Sequence, residues 1–347
     1  MAAWSEGYFT DIPYTDKFYA ELAPGYLAFA CLRRGVRPPR LGPGSAYLEL
    51  GCGNGFGLNL LAAANPQMSF RGVDFHPGQI DTARRLAADT GLSNVAFDDL
   101  SFAQMLETPH ERAPKVDVVV LHGVFSWVSP ENRAAIVQII DRTLKPGGIA
   151  YVSYNCLPGW SALAPLQRFV AEHAARGSGD PRKRIVEAFR AALAMVEGKA
   201  AAFSAIPSVK VQIEAALAND PAYLVHEYLN ARSEPLYHAQ AAAELSGARL
   251  DFAASASIAD DLINLAAPAA LQETIRQAAD PVWRETLLDY ATDKPFRRDV
   301  YVRGRTAPSQ AEHEALLDET RFVLLTDPAS ANFEFSIPMG RLAGQPG

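Results

Sequence analysis

The sequence predicts an α/β fold built on a doubly wound, parallel sheet, with an inserted helical region and a small C-terminal extension. Three observations predict it. Segments with strand and helix periodicity alternate up to residue 154, a glycine-rich turn follows the first strand, and residues 116–122 (VDVVVLH) form an almost continuous apolar run. Such a run is expected where helices cover both faces of a strand. A chain of 347 residues, 49% apolar and 20% charged, can bury the core that this fold needs.

Five strands are predicted in the first half of the chain, and helices separate them. The strands are expected at 46–50 (AYLEL), 69–74 (SFRGVD), 94–98 (NVAFD), 116–122 and 149–154 (IAYVSY). The helices are expected at 57–64, which Asn65-Pro66 ends, at 76–91, which a glycine closes, and at 131–144, which ends before Lys145-Pro146-Gly147-Gly148. This alternation gives a parallel sheet, because each crossover helix returns the chain to the same edge.

The sixth strand and a reversed seventh strand, which complete such a sheet, come late in this sequence. We expect a helix at 238–247 and strands at 248–256 (ARLDFAASA) and 296–303 (FRRDVYVR). The alanine-rich residues 161–218, with apolar side chains at helical spacing, then form an insertion between the fifth and sixth strands. An insertion at the carboxyl end of the fifth strand lies over the ligand edge of the sheet. We expect it to act as a lid and substrate-selecting wall, with padding of the sheet edge as the alternative.

The predicted organisation has five parts. They are a lead-in segment at 1–40, a sheet core at 41–158, a helical insertion at 159–235, the completion of the sheet at 236–304, and a C-terminal extension at 305–347 that could begin a further domain. Ligands of such sheets bind at the carboxyl ends of the strands. Gly51, Asp74, Ser101 and His122 all fall at this edge.

Composition limits the environment and the partners of the protein. The formal net charge of −7 argues against nucleic acid as a partner, and the local arginine clusters are expected to be solvated helix ends. Three widely spaced cysteines indicate a reducing compartment, and no grouping of ligand residues has the spacing of a metal site. The N-terminus lacks a signal-type pattern, and no apolar run is long enough to span a bilayer. We therefore expect a cytoplasmic protein without metal, membrane or nucleic-acid partner, whose insertion could form a homodimer surface.

The turn after the first strand, in the stretch YLELGCGNGFG, carries four glycines in seven residues. Glycine weakens strands and helices, so this density indicates either a bare sharp turn or a turn against which a ligand lies. The dinucleotide fingerprint G-x-G-x-x-G fails in each register, and the phosphate-loop signature is absent. What stands here is Glu49-x-Gly51-x-Gly53-x-Gly55, with Asp74 ending the next strand and LKPGG before the fifth. This pattern resembles the binding motif of class I S-adenosylmethionine-dependent methyltransferases.

The resemblance implies S-adenosyl-L-methionine as methyl donor and S-adenosyl-L-homocysteine as product. This ligand needs close backbone approach but no phosphate cradle, and glycines provide that approach. Asp74 can accept both ribose hydroxyls, and a compatible second role is the N-cap of the helix after His76-Pro77. Glu49 would support the turn and lie near the cationic end of the ligand.

The adenine in such enzymes usually contacts an acidic or hydroxyl residue after the third strand. Asp98, Asp99 and Ser101 are the candidates here, and the spacing from Phe97 favours Ser101, with Phe102 against the ring. This departure from the usual aspartate leaves the adenine contact open. The full set of predicted cofactor contacts is Tyr14, Glu49, Gly51, Gly53, Asn54, Gly55, Asp74, Phe75, Asp99, Ser101, Phe102 and His122.

A closer resemblance covers nearly the whole chain. The segments VFSWVSPENRAAIVQIIDRTLKPGG, YVSYNCLPGW, YLVHEYLN and FRRDVYVRG, with the lead-in PYTDKFYAELAPGYLAFACLRRG, are similar to methyltransferases that carry a so-called regulatory domain. That family includes the rickettsial-type protein-lysine methyltransferases that modify outer-membrane proteins. Its members often continue with another domain where this chain stops, so we expect either a shortened or a naturally short form.

The methyl acceptor is expected near the ends of the fourth and fifth strands. Methyl transfer from a sulfonium is an in-line displacement that mainly needs positioning and exclusion of water, so a catalytic base is optional. An amine acceptor must still lose its proton, which a desolvated pocket favours. Phe125 and Trp127 could form an aromatic wall for the acceptor, with core packing as the alternative. The predicted catalytic group, whose members could instead be structural, is Tyr154, Asn155, His226, Glu227 and Tyr228.

The acceptor-side group depends on a short helix expected after Asn219-Asp220, on which Tyr223, Glu227 and Asn230 share one side. Three function classes are compatible with these features. A methyltransferase for protein lysine amines is favoured by the resemblance, a small-molecule N- or O-methyltransferase of secondary metabolism is the second, and a cofactor-binding regulatory protein without turnover is the third. The negative net charge suits a lysine-rich partner but does not identify the acceptor.

Overall fold

The computed structural model describes residue 12, residues 17–109, 112–206, 208–230 and 232–323, and parts of 327–344. The predicted cofactor contact Tyr14 lies outside the described residues. Within the described part of the chain, no helix combines the length and the apolar character that a bilayer span requires.

Seven strands form one mixed sheet, as the sequence predicts. They are β1 (Ala46–Leu50), β2 (Ser69–Asp74), β3 (Val95–Asp99), β4 (Val116–Leu121), β5 (Leu144–Asn155), β6 (Leu250–Ser255) and β7 (Phe296–Arg303). Their order is β3-β2-β1-β4-β5-β7-β6, and β7 runs antiparallel to both β5 and β6. The pairs among the first five strands are parallel, which confirms the doubly wound sheet, and the late, reversed seventh strand is confirmed as well.

Helices flank this sheet. Those before β5 are α1 (Pro24–Arg33), α2 (Phe56–Ala64), α3 (Pro77–Asp89), α4 (Phe102–Glu107) and α5 (Pro130–Thr143). Those after β5 are α6 (Ala164–Arg176), α7 (Pro181–Glu197), α8 (Ala201–Ser204), α9 (Val209–Leu217), α10 (Pro221–Tyr228), α11 (His238–Ser246), α12 (Ile263–Ala266), α13 (Ala269–Gln277), α14 (Pro281–Thr292) and α15 (Gln310–Glu319). A short antiparallel pair, β8 (Glu334–Ile337) and β9 (Gly340–Ala343), lies in the C-terminal extension.

The fifth strand begins earlier than the sequence predicts. Leu144 already pairs with Val116 of β4, whereas we expected the helix to reach residue 144 and the strand to begin at 149. The pairing of β4 with β5 shifts register between Val116 and Val118, and Gly147 in this stretch has a φ of +76°. The proline and glycines of LKPGG therefore produce an irregular strand start rather than a loop between helix and strand.

Apolar clusters lie on both faces of the sheet. On one face, Tyr47 of β1 and Val118 of β4 pack with residues of α1, α2 and α3. On the other face, Leu48 and Val119 pack with residues of α5 and α11. Because side chains alternate along a strand and both faces are covered, ligands can approach only at the strand ends.

The chain between β5 and β6 folds as a helical insertion with an apolar core of its own. Val170 of α6, Phe189 of α7 and Leu224 of α10 lie in this core. Asp220 caps α10, because its Oδ1 accepts the Ala222 N–H at 2.8 Å, and the short helix predicted at this point is confirmed. Beyond α10 the chain returns to the sheet beside the end of β5.

Candidate cofactor and acceptor site

A cavity of about 640 Å³ lies at the carboxyl ends of the parallel strands. The ends of β1, β2 and β4, and the turns that follow them, form one part of its wall. Residues of α9 and α10 and of the segment 17–22 form another part, so these two helices of the insertion border the ligand edge of the sheet. A volume of this size is typical of sites for small ligands and cofactors.

The glycine turn after β1 forms part of this wall. Gly51, Gly53 and Gly55 have φ values of +75°, +55° and +69°, in the left-handed region that residues with a Cβ disfavour. A Cβ atom on Gly51 would also stand 2.6 Å from the Val124 side chain. Gly51 and Gly53 line the cavity. Gly55 does not line the cavity. A Cβ on Gly55 would stand 2.7 Å from the Phe97 ring, so this glycine allows the turn to pack closely against β3.

The Asp74 carboxylate, at the end of β2, is held by backbone donors. Its Oδ2 accepts the Gly53 N–H at 3.0 Å, and its Oδ1 accepts the His76 N–H at 2.9 Å. Burial raises the pKa of Asp74, and these two donors oppose the shift. Each oxygen keeps a second lone pair, so the carboxylate can still accept two hydroxyls from the cavity. The N-cap of α3, the other role considered for Asp74, falls to His76, whose Nδ1 accepts the Gly78 N–H.

Glu49 is a buried carboxylate that lines the same cavity. Burial raises its pKa to about 8, and the negative charge of Asp74 adds to the shift. A cation brought to this place would favour the ionised form of Glu49. The carboxylate therefore lies where the cationic end of a ligand would gain a partner.

The segment after β3 supplies a hydroxyl and an aromatic ring. Ser101 caps α4 by accepting the Gln104 N–H at 3.2 Å, and both Ser101 and Phe102 line the cavity. Asp99 does not line the cavity: it is exposed and lies 3.6 Å from the Arg84 guanidinium. Of these two candidates for the adenine contact, Ser101 lies at the cavity and Asp99 does not.

His122, after the end of β4, lines the cavity as a neutral ring. Its Nδ1 lies 2.9 Å from the Tyr151 hydroxyl, and its ring packs on Tyr19 with centroids 3.9 Å apart. Burial, together with the positive charges of Arg298 and Lys17, lowers the pKa of His122 to about 3. Two more predicted cofactor contacts also line the cavity, Asn54 and Phe75.

Asn155, Glu227 and Tyr228 are brought together where α10 approaches the end of β5, and all three line the cavity. Burial raises the pKa of Glu227 to about 7, while the neighbouring Asn155 amide and Tyr223 hydroxyl favour its ionised form. Burial also raises the pKa of the Tyr228 hydroxyl, which therefore stays protonated. The arrangement can exchange a proton near neutral pH at Glu227 and offers hydrogen-bonding groups beside it.

Two predicted acceptor-side residues do not reach the cavity. The Tyr154 side chain is buried, and its hydroxyl donates to Asp299 Oδ2 at 2.6 Å. Neighbouring side chains of a strand point to opposite faces. Asn155 faces the cavity, and Tyr154 therefore faces the core on the other side of the sheet. Phe125 is fully buried in the same apolar cluster as Tyr154, so its alternative role, core packing, is the one observed. Trp127 does line the cavity.

His226 lines the cavity but is also bonded to the lead-in segment. Its Nε2 donates to the Ile12 carbonyl at 2.9 Å. The tautomer follows from this bond, because a carbonyl can only accept. The bond ties α10 to the chain near residue 12.

Several cavity residues are absent from the predicted set. Among them are two positive side chains, Lys17 and Arg298, and the ring of Trp160. The alternation of FRRDVYVR predicts a strand but not which end of it meets the ligand. Arg298 reaches the cavity because β7 runs antiparallel to β5 and thus begins at the ligand edge. Trp160 could have been found from LPGW, which follows β5 at the same edge.

The strand order, the reversed seventh strand and a glycine turn bonded to an acidic strand end define the class I S-adenosylmethionine-dependent methyltransferases. Comparison with known families agrees. Residues 41–192 match a methyltransferase domain, and residues 220–303 match a predicted methyltransferase regulatory domain. The chain therefore combines a methyltransferase region with the regulatory region.

Individual relatives support this assignment. An uncharacterised protein of Synechocystis sp. is 38% identical over 341 residues, which cover 98% of this chain and 66% of that protein. An uncharacterised protein of Rickettsia prowazekii is 29% identical over 292 residues, which cover 83% of this chain and 51% of that protein. The structure of PKMT2 from Rickettsia typhi in complex with AdoHcy matches with a TM-score of 0.71 and 26% identity, covering 84% of this chain and 55% of that one. The chain thus spans about half to two thirds of the length of these relatives.

S-adenosylmethionine is the cofactor of this class, and the cavity residues fit it. Gly51 and Gly53 line the cavity without side chains, Asp74 offers two acceptor oxygens for ribose hydroxyls, and Glu49 offers a carboxylate to a cation. When bound, the cofactor supplies an electrophilic methyl group on a sulfonium.

Proposed function

We propose that this chain transfers the methyl group of S-adenosylmethionine to an amine, and that the amine belongs to a protein lysine. The observation that carries the proposal is Glu227, a half-buried carboxylate with a pKa raised to about 7 in the same cavity as the glycine turn. A lysine brings an ammonium group, which a carboxylate attracts. An acceptor without a positive charge would gain little from a carboxylate in this place.

The amine must be neutral when it attacks the methyl group. In a desolvated site the charged forms of both partners are disfavoured, so transfer of the proton from the ammonium to a Glu227 oxygen gives a neutral pair. Glu227 is ready to accept this proton when it is ionised, which its pKa allows at and above neutral pH. The Asn155 amide and the Tyr228 hydroxyl can then orient the amine for in-line displacement.

The rings around this group suit a long aliphatic amine. Trp127, Trp160, Tyr223 and Tyr228 line the cavity together with Glu227. Aromatic faces attract cations and pack against the methylene stem of a lysine, and they exclude water from the reacting atoms. The resemblance to rickettsial-type protein-lysine methyltransferases points to the same acceptor.

A small-molecule N- or O-methyltransferase is the second candidate. The observation that favours it is that Tyr228 and Glu227 of α10 are only partly exposed within the cavity, since a small acceptor can enter such a site without an attached chain. The two candidates share the cofactor site and differ in what enters beside α10.

Transfer of labelled methyl groups distinguishes the candidates. The chain is incubated with labelled S-adenosylmethionine and either lysine-containing proteins and peptides or free amines and alcohols, and mass spectrometry locates the added methyl group. Modification of lysine Nζ is expected. Transfer to the free compounds alone would move the assignment to the second candidate.

Variants test the acceptor group in the same assay. Glu227→Gln and Tyr228→Phe should lower turnover roughly 10- to 1000-fold, the range for lost proton transfer or positioning, with unchanged AdoHcy affinity and no loss of thermal stability. Glu214→Gln on α9 and Tyr290→Phe on α14 are matched controls, because both side chains are exposed. Full activity of both test variants would remove this group from the mechanism.

A further inference from the structure

Two positive side chains lie in a cavity whose other charged groups are carboxylates. Among the described residues that line it, Lys17 and Arg298 are the only lysine and arginine, and Glu49, Asp74 and Glu227 are the acids. The acids match the cationic parts of the cofactor and of an amine acceptor. An amine acceptor has no negative group that would bind Lys17 and Arg298, so the presence of these two cations in the cavity needs a separate explanation.

Lys17 and Arg298 converge on one corner of the cavity, beside His122. The positive charges of both act on His122 and lower its pKa. The Lys17 ammonium lies 5.3 Å from the centre of the Tyr19 ring, and that ring packs directly on the His122 ring. The lead-in segment and β7, which are far apart in sequence, therefore place positive charge at the same strand end.

The Arg298 guanidinium is already oriented by its neighbours and still has donors to offer. Its Nε lies 2.9 Å from a Glu21 carboxylate oxygen, and its Nη1 donates to the Ser257 hydroxyl at 3.2 Å. It also lies over the Phe296 ring, with Cζ 4.9 Å from the centroid. A guanidinium carries five N–H groups in a planar fork, so the remaining donors can bind a carboxylate while these contacts hold the side chain.

Glu49 projects from the same face of the sheet as Arg298. Glu49 is two residues from Tyr47, and Arg298 is two residues from Val300, and these two apolar residues both lie in the cluster that packs on α1. Side chains two apart on a strand share a face. The cavity therefore presents a carboxylate on β1 and a guanidinium on β7, three strands away on the same face, and the two ends of a zwitterion can lie between them.

We infer that Lys17 and Arg298 bind the α-carboxylate of the methionine part of S-adenosylmethionine. Asp74, with Ser101 and Phe102 after the neighbouring strand, accounts for the nucleoside, so the amino-acid part extends toward the β4 side, where His122 lies. The α-ammonium is then matched by Glu49 and the α-carboxylate by the two cations. Arg298 lies within the residues that match the regulatory domain, so that region completes the cofactor site itself.

Calorimetric titration of the full chain with three ligands tests this role. The ligands are AdoHcy, its analogue without the carboxylate (decarboxylated AdoHcy), and 5′-methylthioadenosine, which lacks the whole amino-acid part. Lys17→Ala and Arg298→Ala should each weaken AdoHcy binding roughly 10- to 100-fold, the range for a lost charge-assisted hydrogen bond. Their affinities for the two ligands without a carboxylate should change less than about threefold. In the double variant, AdoHcy and its decarboxylated analogue should bind alike.

Matched controls and a second substitution keep the test decisive. Lys115→Ala and Arg168→Ala remove exposed cations that do not line the cavity, and AdoHcy affinity should stay within about twofold of the original chain. If Arg298→Ala does not fold, Arg298→Gln removes the charge while keeping part of the stem and a polar end. Equal losses for all three ligands would make the two residues structural supports only. Unchanged AdoHcy affinity in the double variant would overturn the inference, whatever the acceptor proves to be.

Discussion

Replacement of Asp74 gives a direct measure of how the cofactor site works. In this structure the carboxylate has two tasks, because each oxygen accepts a backbone N–H of the surrounding turns and faces the cavity with its remaining lone pair. Asp74→Ala removes both tasks. Asp74→Asn keeps one acceptor oxygen but sets an NH₂ group against one of the two backbone donors.

The contacts set the size of the expected effect. Loss of charge-assisted hydrogen bonds to two ribose hydroxyls weakens binding by about 1.5–3 kcal/mol each, so AdoHcy affinity should fall roughly 100-fold or more in Asp74→Ala. The Gly53 and His76 N–H groups also lose their acceptor. Groups left unsatisfied in this way cost about 1–3 kcal/mol each unless water replaces the carboxylate, so the free energy of unfolding should fall as well.

Calorimetry with AdoHcy and its 2′-deoxy analogue separates the two tasks. The original chain should discriminate between these ligands, and Asp74→Ala should not. Asp99→Ala is a matched control, because Asp99 is the register partner of Asp74 on β3 but is exposed and outside the cavity. Equal affinity of the original chain and Asp74→Ala, or an equal loss in Asp99→Ala, would refute the reasoning.

Three further predictions concern the turn, the acceptor group and the core. Gly51→Ala should lower the free energy of unfolding in urea by about 1–3 kcal/mol, because a Cβ there meets Val124 at 2.6 Å and φ is +75°. It should also lower AdoHcy affinity. Glu227 has its pKa raised to about 7 from about 4.3 in the unfolded chain, so the folded state binds the proton more tightly and stability falls as pH rises through this window. Glu227→Gln should therefore melt higher than the original chain at pH 8 but not at pH 4, and its pH–rate profile should lose the rise near pH 7; identical profiles would exclude Glu227 as the titrating group. Arg297→Ala should destabilise the chain by about 3–5 kcal/mol, because it strands the buried carboxylates of Glu285 and Asp299, and a loss below 1 kcal/mol would contradict that account.

The sheet could be predicted from the sequence because its signals are local and repeated. The strands at Ala46–Leu50 and Ser69–Asp74 have their predicted bounds, since each is an apolar run between strong turn signals. The start of β5 could not be predicted, because a proline and two glycines read as a loop although they pair, irregularly, with β4. The residues around 144–148 do not themselves show that another strand of the sheet pairs with them.

The sequence predicts a site residue when a motif or a strand end already places it at the ligand edge. It does not predict which of two adjacent side chains faces the cavity. The turn glycines and Asp74 follow from motif and strand end together. Tyr154 and Asn155 are adjacent and equally plausible in sequence, and only the register of β5 in the sheet assigns one to the core and the other to the cavity. Lys17 and Arg298 lie outside any motif for the cofactor, and tertiary structure alone brings them together.

The region that matches a regulatory domain is part of the catalytic unit in physical terms. Its strand β7 pairs with β5 from Ile149↔Val302 to Asn155↔Phe296, and Asp299 accepts the Tyr154 hydroxyl within the core. Without β7, β5 would be an exposed edge strand with unpaired backbone groups and a largely apolar sequence. Asn155 would also lose the neighbour that fixes its direction at the end of the strand. Changes that loosen β7 should therefore displace both Asn155 and Arg298, which line the cavity.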